Sequence, residues 1–470
     1  MQANSLAFEA SASEAMANET LQGSLRLLEQ GWQKGRGRAA ANLPEFEELR
    51  DIARDIKNHT LAHLDLYLEV FEERVIEAGG HVHWARDAEE ARAIVLGICR
   101  DAGAQSVTKS KSMIAEEIGL NEFIESNGIE RVETDLGEYI IQLANEPPSH
   151  LVGPAIHKSM DDVRDLFQQH HGGERIEAPA ALVGEARRIL RRKYFEADIG
   201  ITGANFLVAE TGTAITVTNE GNAELTQGLP DTQIVVTSIE KMVPRLFDAT
   251  TFLRLLARSA TGQEFSAYTT LMTGPRRAGD LDGPRHFHIV LLDNGRSSML
   301  GTAFQEMLRC IRCGACMNHC PVYLAAGGHA YGWVYVGPMG SVLTPQFIGI
   351  DKGYPLPNAS TFCGRCESVC PVRIPLPKLM RHWREEQFDR KLMPPRARMG
   401  LALWAYVARR PRLYRLATGI VARVLGLLGR RDGSFSSLPF ASGWTLSRDM
   451  PAPQGATFMS RYRKHRRRKT

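Results

Sequence analysis

Apolar residues recur at helical spacing through residues 51–78, and the run stops at Gly79-Gly80, a pair suited to ending a helix. A strand candidate follows at 81–84. Next comes a helix over 87–99, with Asp87 as its N-cap. Residues 105–108 read as a strand and 112–127 as a helix. Further strand-like runs fall at 199–209, 214–219, 233–238 and 286–292, with a helix over 242–258. This alternation predicts βαβ units and a mostly parallel sheet. Residues 1–50 carry helical patches around Gln33-Lys34-Gly35-Arg36-Gly37-Arg38, which read as an arm or partner-binding extension with a flexible linker. Beyond residue 376 the chain turns helical again, first over 376–391. Residues 399–431 then mix aliphatic residues with Arg409, Arg410, Arg412, Arg415 and Arg423, as in a basic amphipathic surface helix interrupted at Pro411. The expected division is a helical extension (1–54), an α/β domain (55–297), a mostly helical cysteine-rich domain (298–390) and a basic C-terminal region (391–470).

Length and composition narrow the class. A chain of 470 residues suits about three domains. Its 43% hydrophobic and 23% charged residues exclude a disordered chain, a collagen or a small disulfide scaffold. Apolar stretches such as 401–408 fall short of the ~20 residues that a bilayer span needs. The first residues lack a basic stretch followed by an apolar core, so no secretory signal is expected and the chain is expected in the cytoplasm. Charge is unevenly spread. Residues 391–470 hold 18 Lys and Arg against two acids, a net +16 that leaves the rest at −12 under a total of +4. The basic tail, 461–469, reads as disordered when alone. It could meet an acidic protein, the inner membrane surface or nucleic acid, the last being the least expected.

The cysteines carry the chemistry. Cys99 stands alone in an apolar run and reads as a small core residue. The other seven, Cys310, Cys313, Cys316, Cys320, Cys363, Cys366 and Cys370, crowd into one region, which favours metal binding over disulfides. The first four, with Pro321, spell C-x2-C-x2-C-x3-C-P, the run in which three thiolates hold one [4Fe–4S] cluster and the fourth reaches a second. The pattern then repeats 50 residues on: Cys313-Gly314-Ala315-Cys316 as Cys363-Gly364-Arg365-Cys366, and Cys320-Pro321-Val322 as Cys370-Pro371-Val372. Only the partner of Cys310 is missing, replaced by Ser360. Crossing the fourth cysteines assigns Cys310, Cys313, Cys316 and Cys370 to cluster one, and Cys320, Cys363 and Cys366 to cluster two. Cluster two is then either [4Fe–4S] with one iron not held by thiolate or a [3Fe–4S] centre. Structural zinc is the alternative, but seven thiolates with two Cys-Pro endings fit two closed tetrahedral sites poorly.

Other motifs are weaker. Thr108-Lys109-Ser110-Lys111-Ser112, at a strand end before a helix, offers an anion site or two solvated lysines beside a cap. Glu210-Thr211-Gly212-Thr213 is explained by a turn, although Glu210 could serve as a catalytic carboxylate. The pairs His81/His83 and His286/His288 lack a third ligand and read as surface or core histidines. No Walker A run, no G-x-G-x-x-G after a strand and no G-x-S-x-G elbow is present, so no recognisable nicotinamide or ATP site is expected.

Taken together, the 108–112 and 209–213 segments, the Cys310–Cys316 run, the shortened Phe362-Cys363-Gly364-Arg365-Cys366-Glu367-Ser368-Val369-Cys370-Pro371-Val372 motif and the basic C-terminus resemble the iron–sulfur protein B family of bacterial L-lactate utilization systems. Ser360 conforms to that family's pattern. The resemblance implies a sugar-phosphate isomerase/CoA-transferase-like α/β domain followed by a ferredoxin-like dicluster domain. It also implies two partners: a cysteine-rich iron–sulfur protein and a smaller protein with a related α/β domain. The implied role is a non-catalytic electron-transfer component in oxidation of L-lactate to pyruvate, during growth on lactate. A redox sensor acting through the basic tail and a cluster-stapled scaffold are the alternatives.

Overall fold

The computed structural model describes residues 3–429, 433–438, 445 and 448–467. Arg430 and Arg431, at the end of the expected basic helix, and 468–470 of the tail lie outside the described residues. Two compact units emerge, Met1–Gln387 and Phe388–Thr470.

The first unit is built on a six-stranded parallel sheet. Its strands are β1 (His81–Ala85), β2 (Ser106–Lys109), β3 (Glu130–Glu133), β4 (Ile199–Thr202), β7 (Thr232–Ser238) and β10 (His286–Leu292), in the order β1-β10-β7-β4-β2-β3. β4 and β7 are buried along their whole length, so neither shows the alternation of a half-exposed strand. Ile199, Ile201, Ile234, Val236 and Val290 share one core with Val95, Cys99 and Ile124. Asp87 caps the helix Ala88–Asp101 through the Glu90 amide at 3.0 Å, as the sequence predicts. A smaller sheet joins β5 (Phe206–Val208), β6 (Thr213–Thr218), β8 (Met242–Val243) and β9 (Tyr268–Met272) in the order β8-β5-β6-β9.

Several elements differ from the sequence pattern. The helix expected over 51–78 is two helices, Phe46–Ala62 and Leu64–Glu77, broken at His63. The one over 112–127 splits at Gly119 into Met113–Glu117 and Leu120–Ser126. Residues 242–258 begin as β8. Pro244, which cannot donate a backbone hydrogen bond, separates that strand from the helix Leu246–Ala260.

The largest correction concerns the N-terminal residues, which form no free arm. Helices Phe8–Ala17, Glu19–Leu28 and Lys34–Ala41 lie on the rest of the unit. The Ser5 hydroxyl donates to the Tyr331 carbonyl at 2.9 Å, and Gln22 Nε2 to the Ala325 carbonyl at 2.8 Å. The glycines of the supposed linker serve close approach instead. A Cβ on Gly262 (φ +84°) would come within 2.1 Å of the Gly35 carbonyl carbon.

The α/β sheet and the cysteine-rich segment share a buried charge network. Arg296 is 1% exposed and donates to Glu117 at 2.6 Å. Its Nε stands 2.8 Å from Glu240 Oε2. Tyr335 donates to Glu117, and Arg312 Nη2 reaches Glu240 at 3.3 Å. Burial opposes the charge on Glu240, but Arg296 and Arg312 outweigh it and hold the carboxyl down to about 2.

In the second unit, helices Pro395–Ala408 and Pro411–Leu428 pack together. Pro411 interrupts the helix as expected and opens the next one, where its missing N–H costs nothing. The described part of the tail forms the helix Phe458–Arg466 rather than a disordered run. Thr457 caps it, accepting from the Ser460 amide at 3.3 Å.

Candidate functional site

Tight turns shape both halves of the cysteine-rich segment alike. Arg312 and Phe362, each just before a cysteine, are left-handed at φ +57° and +52°. Gly314 and Gly364, each just after, stand at +78° and +79°. Each turn runs into one helical turn, Ala315–Asn318 and Arg365–Ser368, and these two short helices pack against each other. The duplication seen in the sequence is thus a duplication of backbone.

The seven cysteines divide between two chambers. Cys310, Cys313, Cys316 and Cys370 line the first, whose remaining walls are mostly apolar, among them Met307, Ile311, Met339 and Val372. Cys320, Cys363 and Cys366 line the second together with Ser360. In each half, therefore, the last cysteine of the motif turns away from its neighbours and enters the other half's chamber. Backbone amides aim at the sulfurs. Ile374 N lies 3.4 Å from Cys370 Sγ, and the amides of Ala315, Glu367 and Val322 serve Cys313, Cys366 and Cys320.

Burial pushes the thiols of Cys313, Cys316 and Cys370 up, Cys313 to about 12 and Cys370 to about 11. Cys363 is the exposed one. The Arg365 amide holds its thiol below the ordinary value. Buried thiols of this kind lose their protons when metal charge arrives to replace it. Among the described residues, no three His, Cys, Asp or Glu side chains close on one point as a single ion requires.

A cationic collar that the sequence did not reveal surrounds the first chamber. Arg50, 3% exposed, donates to the carbonyls of Cys370 at 3.0 Å and Ser368 at 2.6 Å. Arg36 Nη2 reaches the Val369 carbonyl at 3.0 Å and acts electrostatically on Cys313 and Cys370. Lys57 and Lys241, both buried, act on Cys310. These cations come from separate stretches of chain, so no spacing motif announces them. In the sequence Arg36 reads only as part of a linker.

The remaining candidates fall elsewhere. Lys109 is fully buried and paired with Glu133 at 2.9 Å and Glu116 at 3.3 Å, so it is neither solvated nor free for an anion. Ser112 caps its helix, accepting from the Ala115 amide at 3.2 Å. Lys111 lines a cavity of about 290 Å³ at the carboxyl edge of the sheet. Glu210 accepts from the Leu246 amide at 3.0 Å, and Gly212 makes the turn between β5 and β6. His83 Nε2 and His288 Nδ1 stand 3.1 Å apart at the β1–β10 edge. Cys99 is in the core, where burial pushes its thiol up to about 11.

Known proteins match this architecture along nearly its whole length. Residues 68–292 match the LUD domain, and residues 306–374 match a 4Fe-4S dicluster domain. "Lactate utilization protein B" of Bacillus licheniformis is 41% identical over 465 residues, covering 98% of this chain and 97% of that one. The protein of the same name from Geobacillus kaustophilus is 45% identical over 419 residues, with 88% of each chain covered. The one from Bacillus subtilis is 42% identical over 455 residues, covering 96% and 95%.

Proposed function

The chain belongs to the lactate utilization protein B family, and on that premise we propose that it is an iron–sulfur electron-transfer component of a system oxidising L-lactate to pyruvate. The observation that carries this reading is the crossed grouping of the seven cysteines into a four-thiol and a three-thiol chamber. Cys310, Cys313, Cys316 and Cys370 would hold one [4Fe–4S] cluster. Cys320, Cys363 and Cys366 would hold the second, with Ser360 beside its fourth corner, as [4Fe–4S] or [3Fe–4S]. Each thiolate of a cubane holds a separate iron.

Bound clusters supply reversible one-electron transfer. The protein's own part is to hold and tune them. Arg36, Arg50, Lys57 and Lys241 offset the negative charge of a thiolate-bound centre. Amide donors to sulfur raise its potential, and apolar walls keep water out.

The inferred partners are a cysteine-rich iron–sulfur protein and a smaller protein with a related α/β domain. The inferred location is the cytoplasm, with the C-terminal unit touching the membrane surface. Among the described residues, no helix is long and apolar enough to cross a membrane. Leu403, Trp404, Leu416, Leu427 and Leu428 are each at least 62% exposed on helices that carry arginines and no acid. That combination suits an anionic lipid surface.

The test is iron and acid-labile sulfide per chain on anaerobically purified protein, with EPR during a redox titration. Seven to eight irons and two reversible signals are expected for this pair of sites. Zinc in place of iron, or clusters that do not cycle, would overturn the proposal in favour of a scaffold.

A further inference from the structure

The parallel sheet opens at its carboxyl edge into the cavity of about 290 Å³. The opening falls between β2 and β4, where the chain path reverses. β2 leads outward to β3, whereas β4 leads, through β5 and β6, back to β7. Diverging connections leave a crevice at such a point, and ligands of parallel α/β sheets bind there.

The lining is chemically uneven. Lys241, Lys111 and Arg312 line it together with Cys313. Lys241 is 6% exposed, and among the described residues its ammonium has no hydrogen-bond or ion-pair partner. Its acidic neighbour Glu240 is already engaged by Arg296 and Arg312. The Lys111 ammonium is buried without a hydrogen bond, with Glu138 no nearer than 3.8 Å. Ser110, also buried, adds a hydroxyl. Asp135 and Glu220, also in the lining, are occupied, accepting the amides of Glu138 and Leu136. An ammonium that makes no hydrogen bond at the wall of a cavity keeps donors that an anionic ligand would satisfy.

We propose that this cavity binds a small carboxylate anion of the 2-hydroxy-acid class, its carboxylate held by Lys241 and Lys111 against the Cys313 turn. The assignment rests on the function proposed above, since it places the acid beside the first chamber. The space equals roughly ten water molecules at about 30 Å³ each, more than the six heavy atoms of lactate need. Longer 2-hydroxy acids therefore fit as well.

The test uses the full-length, cluster-loaded protein, titrated with L-lactate by calorimetry and followed by EPR of the reduced state. Saturable binding at one site and a shifted signal from one cluster are expected. Lys241→Gln should weaken binding about tenfold to a hundredfold, Lys241→Arg much less, and Lys111→Met should weaken it independently. Circular dichroism should stay unchanged in all three, and iron content in Lys111→Met, which lies outside the collar around the first chamber. Absence of saturable binding, or binding indifferent to both Lys241→Gln and Lys111→Met, would overturn the proposal. Equal binding of inorganic phosphate would overturn the carboxylate class. The two readings fail separately. Loaded, reversibly cycling protein that ignores lactate sinks the cavity assignment alone, and lactate binding by protein whose clusters do not cycle sinks the electron-transfer role alone.

Discussion

The Ser360 hydroxyl accepts the amide proton of Phe362 at 3.1 Å, which keeps it at the rim of the three-thiol chamber. A thiol at the same place would complete a fourth soft ligand. Ser360→Cys is therefore expected to retain about one more iron per chain after mild oxidation, and to abolish any [3Fe–4S] EPR signal. An unchanged iron count and spectrum would show that position 360 does not face the second centre.

Glu240 governs stability in acid. Its folded carboxyl is held at about 2 against an ordinary 4.5. A depressed carboxyl stabilises the fold above its unfolded value and loses that contribution as pH falls through the folded one. Between pH 4.5 and 2 the wild type should lose about 3 kcal/mol through this group. Glu240→Gln should cost about 3–5 kcal/mol at neutral pH, because Arg296 and Arg312 lose a buried counter-charge. It should also flatten the acid slope, which denaturant unfolding at several pH values would measure. An unaltered slope would remove Glu240 from the account.

Gly262→Ala tests the seating of the N-terminal helices. Its Cβ would collide with the backbone of Gly35, and no side chain can swing aside to relieve it. The helix Lys34–Ala41 should lift, exposing Arg36 and Arg38 to limited trypsin digestion well before the wild type is cut. Equal digestion rates would mean that the close approach contributes nothing.

The C-terminal unit should float with vesicles containing anionic lipid and stay behind with neutral ones. Arg412, Arg415 and Arg423 recur at helical spacing along one side of Pro411–Leu428. Replacing all three by Gln should weaken binding by about 1 kcal/mol per residue. Flotation that ignores both lipid charge and these substitutions would refute surface docking.

What the sequence disclosed follows from how local each signal is. The cysteine runs, the Asp87 cap and the strands at 81–84 and 286–292 are fixed by neighbours in the chain, so spacing alone displayed them. The collar of Arg36, Arg50, Lys57 and Lys241 is assembled only by folding, from residues that look ordinary in place. The Gly35–Gly262 contact misled for the same reason. Glycine signals freedom in a linker and closeness in a packed helix, and only the partner decides between them. Lys109 and Lys111 share one motif yet part company, because β2 buries the first among carboxylates and the turn after it turns the second toward the cavity.

The bond from Ser5 to Tyr331 spans 326 positions of sequence. The first helices leave the ribosome long before the segment that receives them exists. At roughly 5–20 residues per second, they wait about 15–60 seconds. Arg36 and Arg50 wait with them, so the cysteine turns reach their final surroundings only near the end of synthesis. Metal loading thus belongs to a late stage in the life of the chain, and a shortage of iron would strand molecules whose α/β domain is already complete.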